Sequence, residues 1–177
     1  MKLLILVCLL ILIDIGMCSP GKGKGKGKGR YREKGKVNVG DELDELLGEF
    51  KEGLMEPQCS VDLDCSNLAV LFTEDAIFAP QDAPPASGQT EVVELIELFK
   101  QGDSDIYLEV DFEDITECRS CNIISAYGIG TILSKDAAGD PVQLYQARMV
   151  FTFHREMTGG ERKLQIKYWV YNIISAS

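Results

Sequence analysis

The sequence has few of the residues that metal and cofactor sites require. His154 is the only histidine among 177 residues, which excludes a histidine-rich metal site, and no His-Glu-x-x-His spacing occurs. The Gly-Lys repeat near the start is no phosphate-binding loop, because it is neither preceded by a strand nor followed by a helix capped by Ser or Thr. We therefore predict no metal and no cofactor. Asn-x-Ser/Thr sequons are also absent, so we expect no N-glycosylation.

Apolar runs long enough to cross a membrane are also lacking, and we predict no membrane span. At the start of the chain, Lys2 is followed by residues 3–13 without a polar side chain. This run is within the ~7–15 residues of a signal sequence and shorter than the roughly 18 that span a bilayer. Cys18 is small enough to precede a cleavage point near Ser19. We predict a cleavable signal peptide over residues 1–18 and a secreted, extracellular protein.

The charge is divided unevenly along the chain. Residues 20–36 have a net charge of +7, whereas residues 37–177 have a net charge of −17. We expect residues 19–38 to be a disordered, Gly/Lys-rich basic tail, because glycine raises the cost of ordering and the lysines repel one another. Such a tail favours attachment to anionic glycans or other polyanions, the alternatives being a solvated spacer or a segment that folds back on the acidic domain. The residues assigned to this attachment are Lys22, Lys24, Lys26, Lys28, Arg30 and Arg32.

Cysteine usage agrees with export. Cleavage after residue 18 leaves Cys59, Cys65, Cys118 and Cys121, an even number in an oxidising compartment. We favour the local bridges Cys59–Cys65 and Cys118–Cys121 over the two crossed pairings. Cys118-Arg-Ser-Cys121 also has the spacing of a redox motif, and the same four sulfurs could hold zinc; both remain alternatives.

Apolar spacing predicts three helical segments and one short strand in the first half of the domain. A helix from Asp41 has one apolar face formed by Leu43, Leu46, Leu47, Phe50 and Leu54. A second helix is predicted over 61–72 and a strand over 76–79, followed by a proline-rich loop. Thr90 is predicted to cap a third helix that ends at Gly102.

After Gly102 the apolar period changes to two, which is typical of strands. Strands are predicted near 106–112, 123–133, 142–154 and 164–174, joined by turns. Gly128 and Gly130 indicate a bulge or strong curvature in the second of them. Helices followed by an antiparallel meander predict an α+β domain over residues 39–177.

Four segments in this order resemble one known family: Leu71-Phe-Thr-Glu-Asp-Ala-Ile-Phe78, the prolines between Pro80 and Gly88, Ala126-Tyr-Gly-Ile-Gly-Thr-Ile-Leu133 and Tyr168-Trp-Val-Tyr-Asn172. Over about residues 40–175 the chain is similar to the SnoaL-like and ketosteroid-isomerase-like branch of the nuclear transport factor 2-like superfamily. The resemblance implies N-terminal helices packed on a curved antiparallel sheet, forming a cone with a pocket. It also implies a homodimer formed through the sheet.

The chemistry of the family transfers poorly to this chain. The resemblance implies a carboxylate on the first short strand and a tyrosine on the first helix. The predicted strand is Ala76-Ile-Phe-Ala79, and no tyrosine lies between Asp41 and Phe72. Fold alone does not assign an activity.

Aromatic residues of the sheet are the better clues to function. Tyr127, Tyr145 and Tyr168 share parity with the more apolar set of their strands, which favours an inward direction. With Trp169 and His154 they are the predicted pocket residues, the alternatives being core packing for the aromatics and a solvated rim for His154. Arg148 and Asp111 have the opposite parity and are expected to face solvent or a dimer partner.

Three functions follow as hypotheses. The first is a secreted module that binds a small apolar ligand in the cone, with the basic tail attaching it to polyanions. The second is an isomerase, dehydratase or cyclase acting on a small apolar substrate, which requires an inward polar pair within hydrogen-bond reach. The third is an assembly protein whose dimers are linked through their tails.

Overall fold

The computed structural model describes residues 38–158 and 161–176. The predicted signal peptide over 1–18 and the basic tail up to residue 37 lie outside these residues. A 3-10 helix over Ser66–Leu71 precedes the first strand. The other elements, in chain order, are α1 Val39–Met55, α2 Pro57–Ser60, β1 Phe72–Ala79, β2 Ala86–Ser87, α3 Gln89–Gly102, β3 Tyr107–Cys118, β4 Ile123–Lys135, β5 Pro141–Thr158 and β6 Glu161–Ala176.

The six strands form one curved sheet in the order β2-β1-β6-β5-β4-β3. All neighbouring strands are antiparallel except β1 and β6, which run parallel. The predicted meander corresponds to β3–β6, and the α+β class with helices packed on a curved sheet is confirmed. The register of β3 shifts between Phe112 and Asp114, opposite Gly128, where the sequence indicated a bulge or curvature.

Helix α1 packs against the inner face of the sheet through the predicted apolar stripe. Its buried side chains include Leu43, Leu46, Phe50 and Leu54. The Asn38 side chain caps the first turn by accepting a hydrogen bond from the Gly40 amide at 3.3 Å.

The segment after α1 differs from the predicted helix over 61–72. A proline at its first position starts the short helix α2, and the chain then turns through a loop between Cys59 and Cys65 before the 3-10 helix begins. Val61 is 75% exposed, so its apolar side chain starts no buried helical stripe. The predicted strand is also longer, because Phe72 already pairs with Ile166 of β6.

Helix α3 begins at Gln89 with Gly88 as its N-cap, so the predicted cap at Thr90 is wrong. Tertiary contacts set this boundary. The Gly88 amide donates to the Ala76 carbonyl at 2.7 Å, and the Gln89 side chain donates to the Phe72 carbonyl at 2.7 Å. Both bonds tie the start of α3 to β1.

Both local cysteine pairings are confirmed. Cys59 with Cys65, and Cys118 with Cys121, lie at disulfide distance. The first pair closes the loop after α2, and the second closes the turn between β3 and β4. Since all four sulfurs are paired locally, the crossed pairings are not formed.

Candidate functional site

A cavity of about 60 Å³ lies between the inner face of the sheet and the C-terminal halves of α1 and α3. The surface that faces it is almost entirely apolar. Residues from both layers form its wall, among them Phe50, Leu54, Phe99, Phe78, Met149 and Trp169.

Trp169 is the centre of an aromatic row along one side of the cavity. Phe78 of β1 and Phe151 of β5 are its register partners, and both rings stack on the indole, at 4.2 Å and 5.5 Å between centroids. Phe50 of α1 meets the indole perpendicularly at 5.6 Å. The Nε1 atom of Trp169 is buried and has no hydrogen-bond partner among the described residues. This wall is therefore aromatic and contains an unsatisfied donor.

Tyr145 and Tyr171 bring two hydroxyl groups to the cavity wall, where they hydrogen-bond with each other. Burial raises the pKa of both phenols, and for Tyr171 the neighbouring Tyr145 and Asp82 raise it further. Both therefore stay neutral near pH 7. They can exchange hydrogen bonds with a bound molecule, but neither is available as a phenolate base.

Lys100 of α3 is a buried cationic side chain in the cavity wall, only 1% exposed. Its Nζ atom donates to the main-chain carbonyls of Leu54, at 2.9 Å, and Ile106, at 3.1 Å. Burial lowers the pKa of this amine, while the charges of Asp105 and Asp103 act in the opposite direction.

Lys100 also borders a surface depression on the other side, so it separates this depression from the interior cavity. Other residues of the depression are Ser60, Val61, Leu63, Asp103 and Ser104.

The structure brings two of the five predicted pocket residues to the cavity. Tyr145 and Trp169 line it, whereas Tyr127, Tyr168 and His154 do not. On β4 the outer set of residues is the larger and more apolar one, because the buried set includes Ala126 and two glycines. The prediction that Tyr127 points inward, which assumed that the more apolar set of the strand is buried, is therefore wrong, and Tyr127 lies on the outer face of the sheet.

The position of Tyr168 has a different cause. The register between β5 and β6 shifts between Thr152 and Phe153, so Lys167 is an extra residue and inverts the alternation. Tyr168 is consequently half-buried beside Thr152, while the next residue, Trp169, is buried. His154 pairs with Ile123, near the opposite end of the sheet from the cavity.

Sequence reasoning missed Lys100 and Tyr171. Lys100 follows Ile96 by four residues and therefore lies on the buried stripe of α3. Because buried lysines are rare, this spacing could have identified Lys100 as a candidate site residue from the sequence. Tyr171 follows Trp169 by two residues and shares its face of β6.

An ion-pair cluster closes the end of the interior away from the cavity. Arg155 of β5 donates to Glu117 of β3 at 2.7 Å and, through Nε, to Glu42 of α1 at 3.1 Å. Hydrogen bonding to Arg155 and to Arg119 holds the pKa of Glu117 below its usual value. The cluster joins α1 to the sheet and pairs both carboxylates with Arg155.

The described residues contain no group of three or more His, Cys, Asp or Glu side chains placed to hold a metal ion. Among the same residues, no helix has the length and apolarity needed to cross a membrane.

Solved structures show which fold this architecture represents. An NTF2-like protein with a cystatin-like fold from Novosphingobium aromaticivorans is 15% identical, with a TM-score of 0.50, and the match covers 81% of this chain and 94% of that chain. The chain has the NTF2-like fold. ActVI-ORFA from Streptomyces coelicolor is 18% identical, with a TM-score of 0.53 and coverage of 74% of this chain and 96% of that one.

A third NTF2-like match is a putative calcium/calmodulin-dependent protein kinase II association domain from Xanthomonas campestris. It is 15% identical, with a TM-score of 0.58, over 78% of this chain and 89% of that chain. No protein-family model and no curated protein matches the sequence. These structures confirm the fold that the predicted resemblance implied, and at such low identities they show the fold alone.

Proposed function

We propose that this protein is a secreted module that binds a small apolar molecule in the cavity of the cone. The observation that carries the proposal is a partly open cavity between helices and sheet with an almost entirely apolar surface. Its tyrosine pair is held neutral by raised pKa values. Such a tyrosine pair is better suited to binding than to acid–base catalysis, because a general acid or base needs a pKa near the working pH.

The size of the cavity limits its occupant. An empty apolar cavity of about 150 Å³ can bind benzene, whereas this one measures about 60 Å³. A molecule of a few heavy atoms fits without rearrangement. A larger ligand requires side chains such as Phe99, Lys100 or Met149 to move aside.

Binding can be tested with xenon and with small hydrocarbons, using NMR chemical shifts of the Trp169 indole. We expect saturable shifts in the wild type and much weaker shifts in Ile132→Phe, which places a larger side chain in the cavity wall. Leu98→Phe is the matched control, because Leu98 is 57% exposed on α3. Absence of saturable shifts in the wild type would contradict the proposal.

The outer face of the sheet supports a second element of the proposal, a homodimer. Helices pack on the inner face, and Tyr127, Val150 and Val170, which are paired across β4, β5 and β6, remain half-buried on the other side. Arg148 and Asp111 are exposed on either side of Ile129 in one cross-strand row. A two-fold copy could bring Arg148 of each subunit opposite Asp111 of the other.

Sedimentation tests the dimer. The wild type is expected to sediment as a dimer at tens of micromolar, and Val150→Glu as a folded monomer. Glu109→Gln, at the exposed edge strand, should keep the dimer. A monomeric wild type at that concentration would exclude this interface.

The basic tail is proposed to attach the module to polyanions. Deleting residues 20–36 removes a net charge of +7. The full chain should elute from heparin only at raised salt, and the deletion variant should not be retained. Equal retention of both at every salt concentration would refute this role.

A further inference from the structure

We propose that the molecule bound in the cavity carries a carbonyl group, which Lys100 captures as an imine. This inference rests on the proposed binding function and specifies the ligand as a small aldehyde or ketone. It is drawn from the position of the amine, its contacts and an unsatisfied donor in the same wall.

The contacts of Lys100 leave one position on its nitrogen unused. A neutral amine has two N–H groups and one lone pair, and the two N–H groups match the two carbonyl acceptors of Leu54 and Ile106. The lone pair then points away from both acceptors. Burial favours this neutral form, since it lowers the pKa of the amine.

The location of Lys100 places the amine on the path of a ligand. Its side chain borders both the interior cavity and the surface depression that contains Ser60 and Leu63. A small molecule that enters the cavity from the depression would contact this side chain. The apolar wall beyond it accommodates the hydrocarbon part and limits the water that would hydrolyse an imine.

The Trp169 indole gives an independent indication of an oxygen acceptor. Its Nε1–H is buried in the cavity wall without a partner among the described residues. A buried unsatisfied donor costs about 1–3 kcal/mol. The oxygen of a carbonyl compound docking in this cavity would satisfy it, whereas a pure hydrocarbon would not.

The reaction balances without a further reagent. The Lys100 lone pair forms a bond to the carbonyl carbon, and the two amine hydrogens leave with the carbonyl oxygen as water. Capture therefore replaces the hydrogen bonds to Leu54 and Ile106. If the imine is protonated, it retains one N–H that can donate to one of these carbonyls.

Reductive trapping with mass spectrometry tests the proposal. The full-length secreted chain is incubated with limiting propanal and cyanoborohydride near pH 7, and each alkylated lysine is mapped. We expect Lys100 to be alkylated several-fold faster than the half-exposed Lys51, because burial lowers the pKa of Lys100 and so raises the neutral fraction of its amine. Equal or slower labelling of Lys100 would overturn the proposal.

Two variants separate this inference from the binding function. Ile132→Phe should slow the labelling of Lys100 and leave that of Lys51 unchanged; unchanged labelling of Lys100 would overturn capture through the cavity. Lys100→Met removes the amine and should leave the labelling of Lys51 unchanged. If xenon binds the wild type and Lys100 is not labelled, the carbonyl inference fails alone. If neither occurs, the binding function fails as well.

Discussion

Arg155 and Lys100 are both cationic side chains of the helix–sheet interior, but their partners differ. The Arg155 side chain, 11% exposed, contacts carboxylates from α1 and β3. Lys100, 1% exposed, donates hydrogen bonds only to main-chain carbonyls among the described residues, although the charges of Asp103 and Asp105 raise its pKa. At one end of the interior, the charge of Arg155 is therefore neutralised by carboxylates. At the other end, beside the cavity, no carboxylate in the part of the chain that the structure describes forms an ion pair with the Lys100 amine.

This difference separates a structural site from a site with reactive potential. An ion pair loses much free energy when one partner is removed, because the remaining charge stays desolvated. A lone buried amine can instead lose its proton at low cost and become a nucleophile. The comparison leads to four predictions.

The largest effect is expected for Arg155→Met. This change removes the cation that Glu42 and Glu117 share and leaves Glu42 as a largely buried carboxylate without its ion pair, which costs about 3 kcal/mol. The free energy of unfolding from urea titrations measures it. Arg119→Met is the matched control, because the Arg119 side chain is 75% exposed and its pair with Glu117 contributes little. Equal losses in the two variants would contradict the structural role of Arg155.

Substitutions at two glycines of β4 test whether side chains beside the cavity can shift into it. A Cβ at Gly128 would lie 2.2 Å from the Asp111 main-chain oxygen, whereas a Cβ at Gly130 would meet the end of the Met149 side chain. Met149 lines the cavity and can move into it. We expect Gly128→Ala to cost about 2–3 kcal/mol and Gly130→Ala less than about 1 kcal/mol. Chemical denaturation measures the free energy of unfolding of both variants. A larger loss for Gly130→Ala than for Gly128→Ala would contradict the idea that Met149 can move into the cavity.

Lys100→Met should change stability by about 1 kcal/mol or less near pH 7. The variant loses two hydrogen bonds, to Leu54 and Ile106, but it also removes a desolvated charge. Urea titrations of Lys100→Met and Arg155→Met under the same conditions compare their free energies of unfolding. A loss of about 3 kcal/mol would show that Lys100 is as structural as Arg155.

The smallest effect is a pH dependence that belongs to Lys100. Its pKa in the folded protein lies below the ordinary value of 10.5, so the unfolded chain binds more protons between the two values. The stability of the wild type relative to Lys100→Met should therefore rise with pH as the folded amine loses its proton, and level off above 10.5. Urea titrations of both proteins from about pH 7 to 10 measure this difference. A difference that falls with rising pH would mean that burial does not disfavour the charged amine.

Local features of the domain were readable from the chain because their causes are local. The stripe of α1 follows from apolar spacing around Leu43 and Phe50, and the four strands of the meander follow from alternation. The pairing of Cys59 with Cys65 needs only a short loop. The helix predicted over 61–72 failed, because a proline start and the loop between the two cysteines outweighed the apolar residues.

By itself, the sequence determined the order of elements, the α+β class and the face of α1 that is buried, since hydrophobic period acts along the chain. Only the tertiary structure decided which sheet aromatics reach the cavity. The extra residue Lys167 reverses which residues of β6 face inward. On β4, the inward-facing set includes two glycines and is the smaller one, so Tyr127 faces outward. The environment of Lys100 was likewise decided by packing, because its acceptors come from α1 and from the segment before β3, elements brought together only in the folded chain.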